Sequence, residues 1–311
     1  MKKIVTLILS LLLIAALSLS AAASSVSLAT EIANMRTYYA ETKELTLWEE
    51  TLVFAAMGML TERTPFLPAE SQTADGLAMR ALAQMAIGES AETDALKELQ
   101  NEDGSFGTVD VHCLSMLALT GNGVLYNSVK AYEHLLAQQK EDGSFGASIK
   151  ETALAITVLS LSDNEEEVQA YGKAVQYLLK HEAKNCEEIS WQIIGITDGN
   201  VDAVTSGDRD LLQKLLDYQN PEEYYFYRTE NDNTADPLCT ATALMALDTV
   251  NKDGSLFKRL ATDGKISFFD PADLIPIGIF FGVLLCISVG FWVFIFKHKK
   301  STKTLADAKK Y

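Results

Sequence analysis

The sequence predicts an all-α fold: a closed ring of about five to six helical hairpins, followed by one transmembrane helix. Three observations carry that expectation. The string EDGSFG occurs twice, at 102–107 and 141–146, an interval of 39 residues that marks a repeated unit. Six apolar, alanine-rich runs recur along the chain, and between them lie amphipathic ones. Residues 274–296 form a stretch of 23 without a charge.

In chain order, residues 1–23 begin with Lys2 and Lys3, continue through an apolar stretch and end in Ala21, Ala22 and Ala23, the pattern of a cleaved export signal. The first apolar run is LTLWEETLVFAAMGM at 45–59, and the second is TADGLAMRALAQMAIG at 73–88. Between them TERTPFLPAES (61–71) carries two prolines and no helical spacing, so an outer helix is missing there or replaced by a loop. An amphipathic run at 93–100 leads into the first EDGSFG, which VHCLSMLALTG (111–121) follows. A second, at 128–139, leads into the other copy, which ETALAITVLSL (151–161) follows. The charged helical pattern at 164–183 precedes EEISWQIIGITDG (187–199), and that at 206–220 precedes DPLCTATALMALDTV (236–250).

The uniformly apolar runs read as inner helices and the amphipathic ones as outer helices. Within each EDGSFG, an aspartate starts a turn, Gly104 or Gly143 takes the left-handed conformation, and Phe106 or Phe145 fills an apolar gap. The string is a joint between helices. The inner runs start roughly 36 to 48 residues apart, which fits a helix pair plus a variable loop. An open solenoid needs polar capping repeats, whereas a ring of about six pairs closes on itself, and the ring is the expected form.

As a helix, residues 274–296 reach about 35 Å, enough for a bilayer core of about 30 Å. Six lysines follow in the last fifteen residues, while Asp270 and Asp273 precede, so the tail at 297–311 is expected inside the cell and the ring outside. The domains are therefore expected at 1–23 (signal), 24–270 (extracellular ring), 271–273 (juxtamembrane), 274–296 (membrane helix) and 297–311 (tail). Removing two basic residues of the leader and six of the tail leaves 18 basic against 41 acidic residues, a net of about −23 for the exterior. Nucleic acid is excluded as a partner on that charge. Most of the acids serve to solvate outer helices, as at Glu165, Glu166 and Glu167.

Cys113, Cys186 and Cys239 are an odd number in or beside apolar runs, which suits small buried residues better than a disulfide framework. Asp110, His112 and Cys113 open one inner run, and Asp236 and Cys239 open another; these are zinc-ligand types. The competing reading makes Asp110 and Asp236 caps of helix N-termini, which needs no metal, and none is assigned. No cofactor is expected.

LQNEDGSFG, QQKEDGSFG, KETALAITVLSL and PLCTATALMALD resemble the repeats of the terpenoid cyclase and protein prenyltransferase superfamily, also known for its prenyltransferase and squalene oxidase repeats. The glutamine followed by DGSFG is similar to that superfamily's glutamine and aromatic motif, with Phe106 and Phe145 in place of its tryptophan. The resemblance implies an α/α toroid over residues 45–250. That fold serves cyclases, zinc prenyltransferases, thioester domains and cobalamin carriers. The acid pair of the cyclases is absent: TADG, DVHC and DPLCTAT are the nearest strings, and Lys150 precedes Glu151 where some carry two acids. The prenyltransferase zinc pattern is only partly matched by Asp110, His112 and Cys113, and no thioester string occurs. Asp110, Glu151 and Asp236 are the candidates for a catalytic acid, although none is assigned and the chain reads more as a binder than an enzyme.

By resemblance, the cobalamin carriers are the nearest functional branch. The candidate ligand surface is Trp48 and Trp191 on inner helices with Tyr224, Tyr225, Phe226 and Tyr227 in a loop before the last one. Three readings stand. The first is a membrane-anchored surface module taking a small apolar or corrinoid-type ligand, or a surface or membrane protein partner. The second is a non-catalytic surface scaffold. The third is an exported cyclase- or prenyltransferase-like enzyme with a divergent site.

Overall fold

The structure is a computed structural model that describes residues 28–41, 44–59, 64–200, 211–232 and 234–264. All belong to one of two units of the chain, Met1–Ile266; the second, Ser267–Tyr311, lies outside the described residues. So do the expected signal at 1–23, the juxtamembrane residues 271–273, the apolar run 274–296 and the tail 297–311. No helix among the described residues is long and apolar enough to cross a membrane.

The described residues are helical and contain no β-strand. Their helices are α1 (Leu28–Glu41), α2 (Trp48–Ala56), α3 (Ala74–Ala86), α4 (Asp94–Lys97), α5 (Val109–Gly121), α6 (Ser128–Ala137), α7 (Ile149–Leu159), α8 (Glu165–Lys180), α9 (Cys186–Asp198), α10 (Leu211–Leu216), α11 (Pro237–Lys252) and α12 (Leu256–Asp263). Starts are set by short polar caps: Thr73, Asn127, Ser148, Asn164, Asn185, Asp236 and Ser255 each accept a backbone N–H of the first turn. Pro237 at the start of α11 loses no helical bond there.

The six apolar runs are α2, α3, α5, α7, α9 and α11, and each packs on the next in that order, with α11 returning to α2. Burial explains their composition. In α11 every residue from Cys239 to Thr249 is buried, whereas α8 buries only Glu167, Ala170, Ala174, Val175 and Leu178. The remaining helices lie against this circuit: α4 on α3 and α5, α6 on α5, α8 on α7 and α9, α10 on α9, and α1 on α11. Between α2 and α3 no helix occurs among the described residues. The proline segment is instead tied down by Thr51 Oγ1, which exchanges bonds of 2.8 Å with the N–H and carbonyl of Phe66, and by Arg80, which donates to Pro68 O at 2.6 Å.

Two helices, α1 and α12, fall outside the runs predicted from the sequence. The second contacts α3, α5, α7 and α11, so it sits across the inside of the circuit. Its apolar residues Leu256, Phe257, Leu260 and Ala261 are all buried. The Phe257 ring lies 5.8 Å from that of Trp191, nearly parallel at 21°, and 6.2 Å from that of Trp48. Asp198, wholly buried at the end of α9, holds the start of α12. Its carboxylate accepts Ser255 N at 2.7 Å, Ser255 Oγ at 2.5 Å and Thr157 Oγ1 from α7 at 2.7 Å. Burial raises the Asp198 pKa, and the bonds from Ser255 and Thr157 oppose that rise without cancelling it.

Candidate functional site

The two EDGSFG joints share one geometry. Asn101 N donates to Ser105 O and Lys140 N to Ser144 O, both at 2.9 Å, closing a tight loop. Asp103 and Asp142 each accept the N–H and the hydroxyl of the serine two residues on, at 3.0 and 2.7 Å. Those serine bonds hold both carboxyls below the usual aspartate range. The glutamine before each joint bridges it to the next outer helix. Gln100 Nε2 donates to Gly104 O at 3.1 Å and Asn127 O at 3.0 Å, and Gln139 Nε2 donates to Gly143 O at 3.1 Å and Ala170 O at 2.7 Å.

Glycine is required in both loops. Gly104 and Gly143 have φ of +89° and +92°, and a Cβ there would fall 2.4 Å from the Lys130 carbonyl on α6 and 2.6 Å from the Lys173 carbonyl on α8. The next outer helix therefore packs directly on the loop backbone.

A third joint follows α10, where the sequence reads QNPEEYYF. Asn220 N donates to Tyr225 O at 2.8 Å and Tyr224 N to Asn220 O at 2.9 Å, as at the other joints, and Gln219 bridges to Phe226 as Gln139 does to Phe145. The phenylalanine is fixed alike in all three. Phe106 N donates to His112 Nδ1 at 3.3 Å, Phe145 N to Thr152 Oγ1 at 3.1 Å, and Phe226 N to Thr240 Oγ1 at 3.0 Å. Each acceptor is the fourth residue of its inner helix.

The third joint departs at one place. Where the others have glycine it has Tyr224, still left-handed at φ +64°, a conformation that costs a bulky residue about 1–3 kcal/mol. Here α1, which packs on α11, stands where α6 and α8 stand at the other joints. The Gln219 Nε2 that should bridge to it is buried without a hydrogen-bond partner. Between the two lies a groove of about 360 Å³ lined by Thr37 and Tyr38 of α1, Glu222, Glu223, Tyr224 and Tyr225 of the joint, and Ala235. The Tyr38 and Tyr225 rings are 6.2 Å apart, and Tyr227 packs edge-on to Tyr225 at 5.4 Å.

The candidate ligand residues thus fall into separate places. Tyr224 and Tyr225 line the groove with Tyr38, which sequence reasoning missed because α1 went unassigned. Phe226 is wholly buried as the joint plug, and Tyr227 Oη accepts from Asn220 Nδ2 at 3.0 Å. Trp48 and Trp191 are buried inside the circuit, with Phe257 against both. The Trp191 Nε1 has no hydrogen-bond partner, and Lys150 Nζ lies 5.7 Å over its ring. Nearby Glu49 is buried, which raises its pKa, although Lys150 draws it back down.

The three candidate acids are engaged at helix starts. Asp110 is the second residue of α5 and not its cap, a place that Thr108 takes; its Oδ1 accepts Thr108 Oγ1 at 2.5 Å and Val111 N at 2.9 Å. Glu151 Oε2 accepts Ala147 N at 2.6 Å and Ser148 Oγ at 3.0 Å. Asp236 caps α11 through Cys239 N at 2.9 Å and pairs with Arg228 Nε at 2.8 Å. Burial works against Asp236 ionising, but the Cys239 N–H and Arg228 together hold its pKa below the usual range. All three accept hydrogen bonds from neighbouring donors, and at Asp236 the lowered pKa is the opposite of what a proton donor needs.

The metal candidates are likewise committed. His112 uses both nitrogens, Nδ1 on Phe106 N and Nε2 toward Ala131 O at 3.0 Å, and burial lowers its pKa to about 4. Cys113 is wholly buried, and burial pushes its thiol well up. Cys186 faces Cys239, with its Sγ 3.9 Å from Cys239 O, and contact with Cys239, then burial, raises its pKa; all three thiols are free. Among the described residues no group of three or more His, Cys, Asp or Glu side chains could hold a metal ion. Compared with known proteins, the chain matches no protein-family model and no curated protein.

Proposed function

We propose that this chain is a non-catalytic surface binding module, an α/α toroid tethered by residues 274–296, whose ligand site is the groove at the third joint. The observation that carries this reading is Tyr224. A bulky residue is kept left-handed where glycine would relieve the strain, and it lines a groove between its joint and the neighbouring outer helix. Strain retained beside a cavity is the expected mark of a site shaped for binding. The inside of the circuit supports the same choice, since Phe257 already stacks on Trp191 and packs, tilted, against Trp48. The groove, at about 360 Å³, is at the small end of ligand clefts, which run from about 300 to 1,000 Å³. It suits a ligand of headgroup size better than a corrinoid.

The test is a fragment screen by NMR on the full chain in maltoside micelles, with ¹³C-labelled tyrosine and ¹⁵N-labelled tryptophan. Shifts confined to tyrosine rings that disappear in Y38F, Y224F and Y225F spectra through loss of the assigned signals support the groove. Shifts at the Trp48 or Trp191 indoles instead would move the site inside the ring and overturn the proposal.

A further inference from the structure

Resting on that reading, we infer that the ligand of the groove is a small organic cation, an alkylammonium group of the choline type. The groove combines two features that favour this charge. Tyr38, Tyr224 and Tyr225 supply aromatic walls, and ring faces attract a cation within about 6 Å. Glu222 and Glu223 supply carboxylates at its edge, and both are exposed. Their backbone N–H groups are spent on Asn220 Oδ1 at 2.8 and 2.9 Å, which fixes the turn that carries them.

Neither carboxylate has an ion-pair partner among the described residues. Arg228, close in sequence, is held elsewhere, at 2.8 Å from Asp236 and 3.6 Å from Glu187. At the two other joints the corresponding positions differ. There Asp103 and Asp142 are folded back on their own serines, and Asp103 is also 3.5 Å from His134. At the third joint Glu222 and Glu223 are among the residues that line the groove. An anion would be repelled by both glutamates, and a neutral ligand would gain no ionic attraction from them. The strongly acidic exterior adds a long-range attraction for cations.

The probe is choline, titrated into the full chain in maltoside micelles and read at the tyrosine ring carbons. The control is 3,3-dimethylbutan-1-ol, which has the shape of choline with carbon in place of the charged nitrogen. Saturable choline shifts are expected at Tyr38 and Tyr225, with the alcohol about tenfold weaker or more. The double variant E222Q/E223Q should weaken choline about tenfold and leave the alcohol unchanged. Phosphocholine distinguishes sources: binding of both compounds admits a headgroup, and binding of choline alone indicates the free ammonium compound. Equal binding of choline and the alcohol would overturn the cationic assignment while leaving the groove as the site. Failure of these and all neutral fragments to shift any tyrosine would overturn the groove itself.

Discussion

Replacing His112 by threonine should exchange a pH-sensitive joint for an insensitive one. Threonine already stands at the equivalent place in the other two joints, where Thr152 and Thr240 take the phenylalanine N–H. His112 is 1% exposed, and burial lowers its pKa from 6.5 to about 4. A histidine held neutral in the fold binds fewer protons there than in the unfolded chain, so its contribution is fully present above pH 6.5 and is lost as pH falls toward 4. The whole displacement corresponds to about 3 kcal/mol. His134 and Asp103 face the same ring and partly oppose one another. At pH 7.5 the H112T variant keeps the Phe106 bond but loses the one to Ala131 O and leaves a small void, costing about 2 kcal/mol. Urea unfolding of both full chains, followed by circular dichroism, gives the difference directly, since every other carboxylate is common to both. Wild type should be the more stable by about 2 kcal/mol at pH 7.5, lose that advantage at about pH 5 and be the less stable by about 1 kcal/mol near pH 4. A difference that stays constant over this range would refute the account of His112 as a buried neutral joint residue.

Other substitutions address the remaining parts. D198A leaves Ser255 N, Ser255 Oγ and Thr157 Oγ1 without their acceptor and should cost about 3–5 kcal/mol, whereas D198N, which preserves an acceptor toward Ser255 N, should cost about 1 kcal/mol by the same unfolding assay. Because the folded Asp198 pKa is raised, the D198N cost should shrink as pH rises above 3.8, where the unfolded aspartate ionises first. F257A should cost about 3–5 kcal/mol and shift Trp48 and Trp191 emission to longer wavelength as the inside of the ring opens; unchanged emission would contradict the packing assigned to α12. D110A and E151A should each lower stability by about 1 kcal/mol through lost first-turn hydrogen bonds, and D236A by more, because it removes the cap of α11 and also strands Arg228.

Much of the architecture was legible because inner helices are buried on all sides. Runs such as DPLCTATALMALDTV carry almost no polar face, and their alternation with amphipathic segments predicts two classes of helix before any contact is known. The doubled EDGSFG was legible as a joint because glycine and phenylalanine have fixed steric jobs. The third joint was not, since PEEYY has replaced EDGS and only Gln219 and Phe226 keep their places. Spacing could have found it: glutamine precedes phenylalanine by six residues in two joints and by seven in the third, each time ahead of an apolar run. Helix α12 was passed over because eight residues give little periodicity, although Ser255 followed by Leu256, Phe257, Leu260 and Ala261 is a capped amphipathic turn. Without α1 there was no Tyr38, and so no second wall for the aromatic loop. Trp48 and Trp191 looked like ligand faces because sequence cannot show which of the chain's own side chains will cover them.

The strain at Tyr224 ties the fold to the proposed function, and the variant Y224G tests the connection. Glycine removes a left-handed penalty of about 1–3 kcal/mol at the loss of a half-buried ring, so stability should be unchanged or slightly higher. It also lets α1 approach the loop as α6 and α8 do. The decisive measurement is the saturable, ligand-induced shift at the Tyr38 and Tyr225 ring carbons, compared between wild type and Y224G full chains. The account predicts that the shift is present in the first and abolished in the second, with no loss of melting temperature. An undiminished shift in Y224G would contradict it.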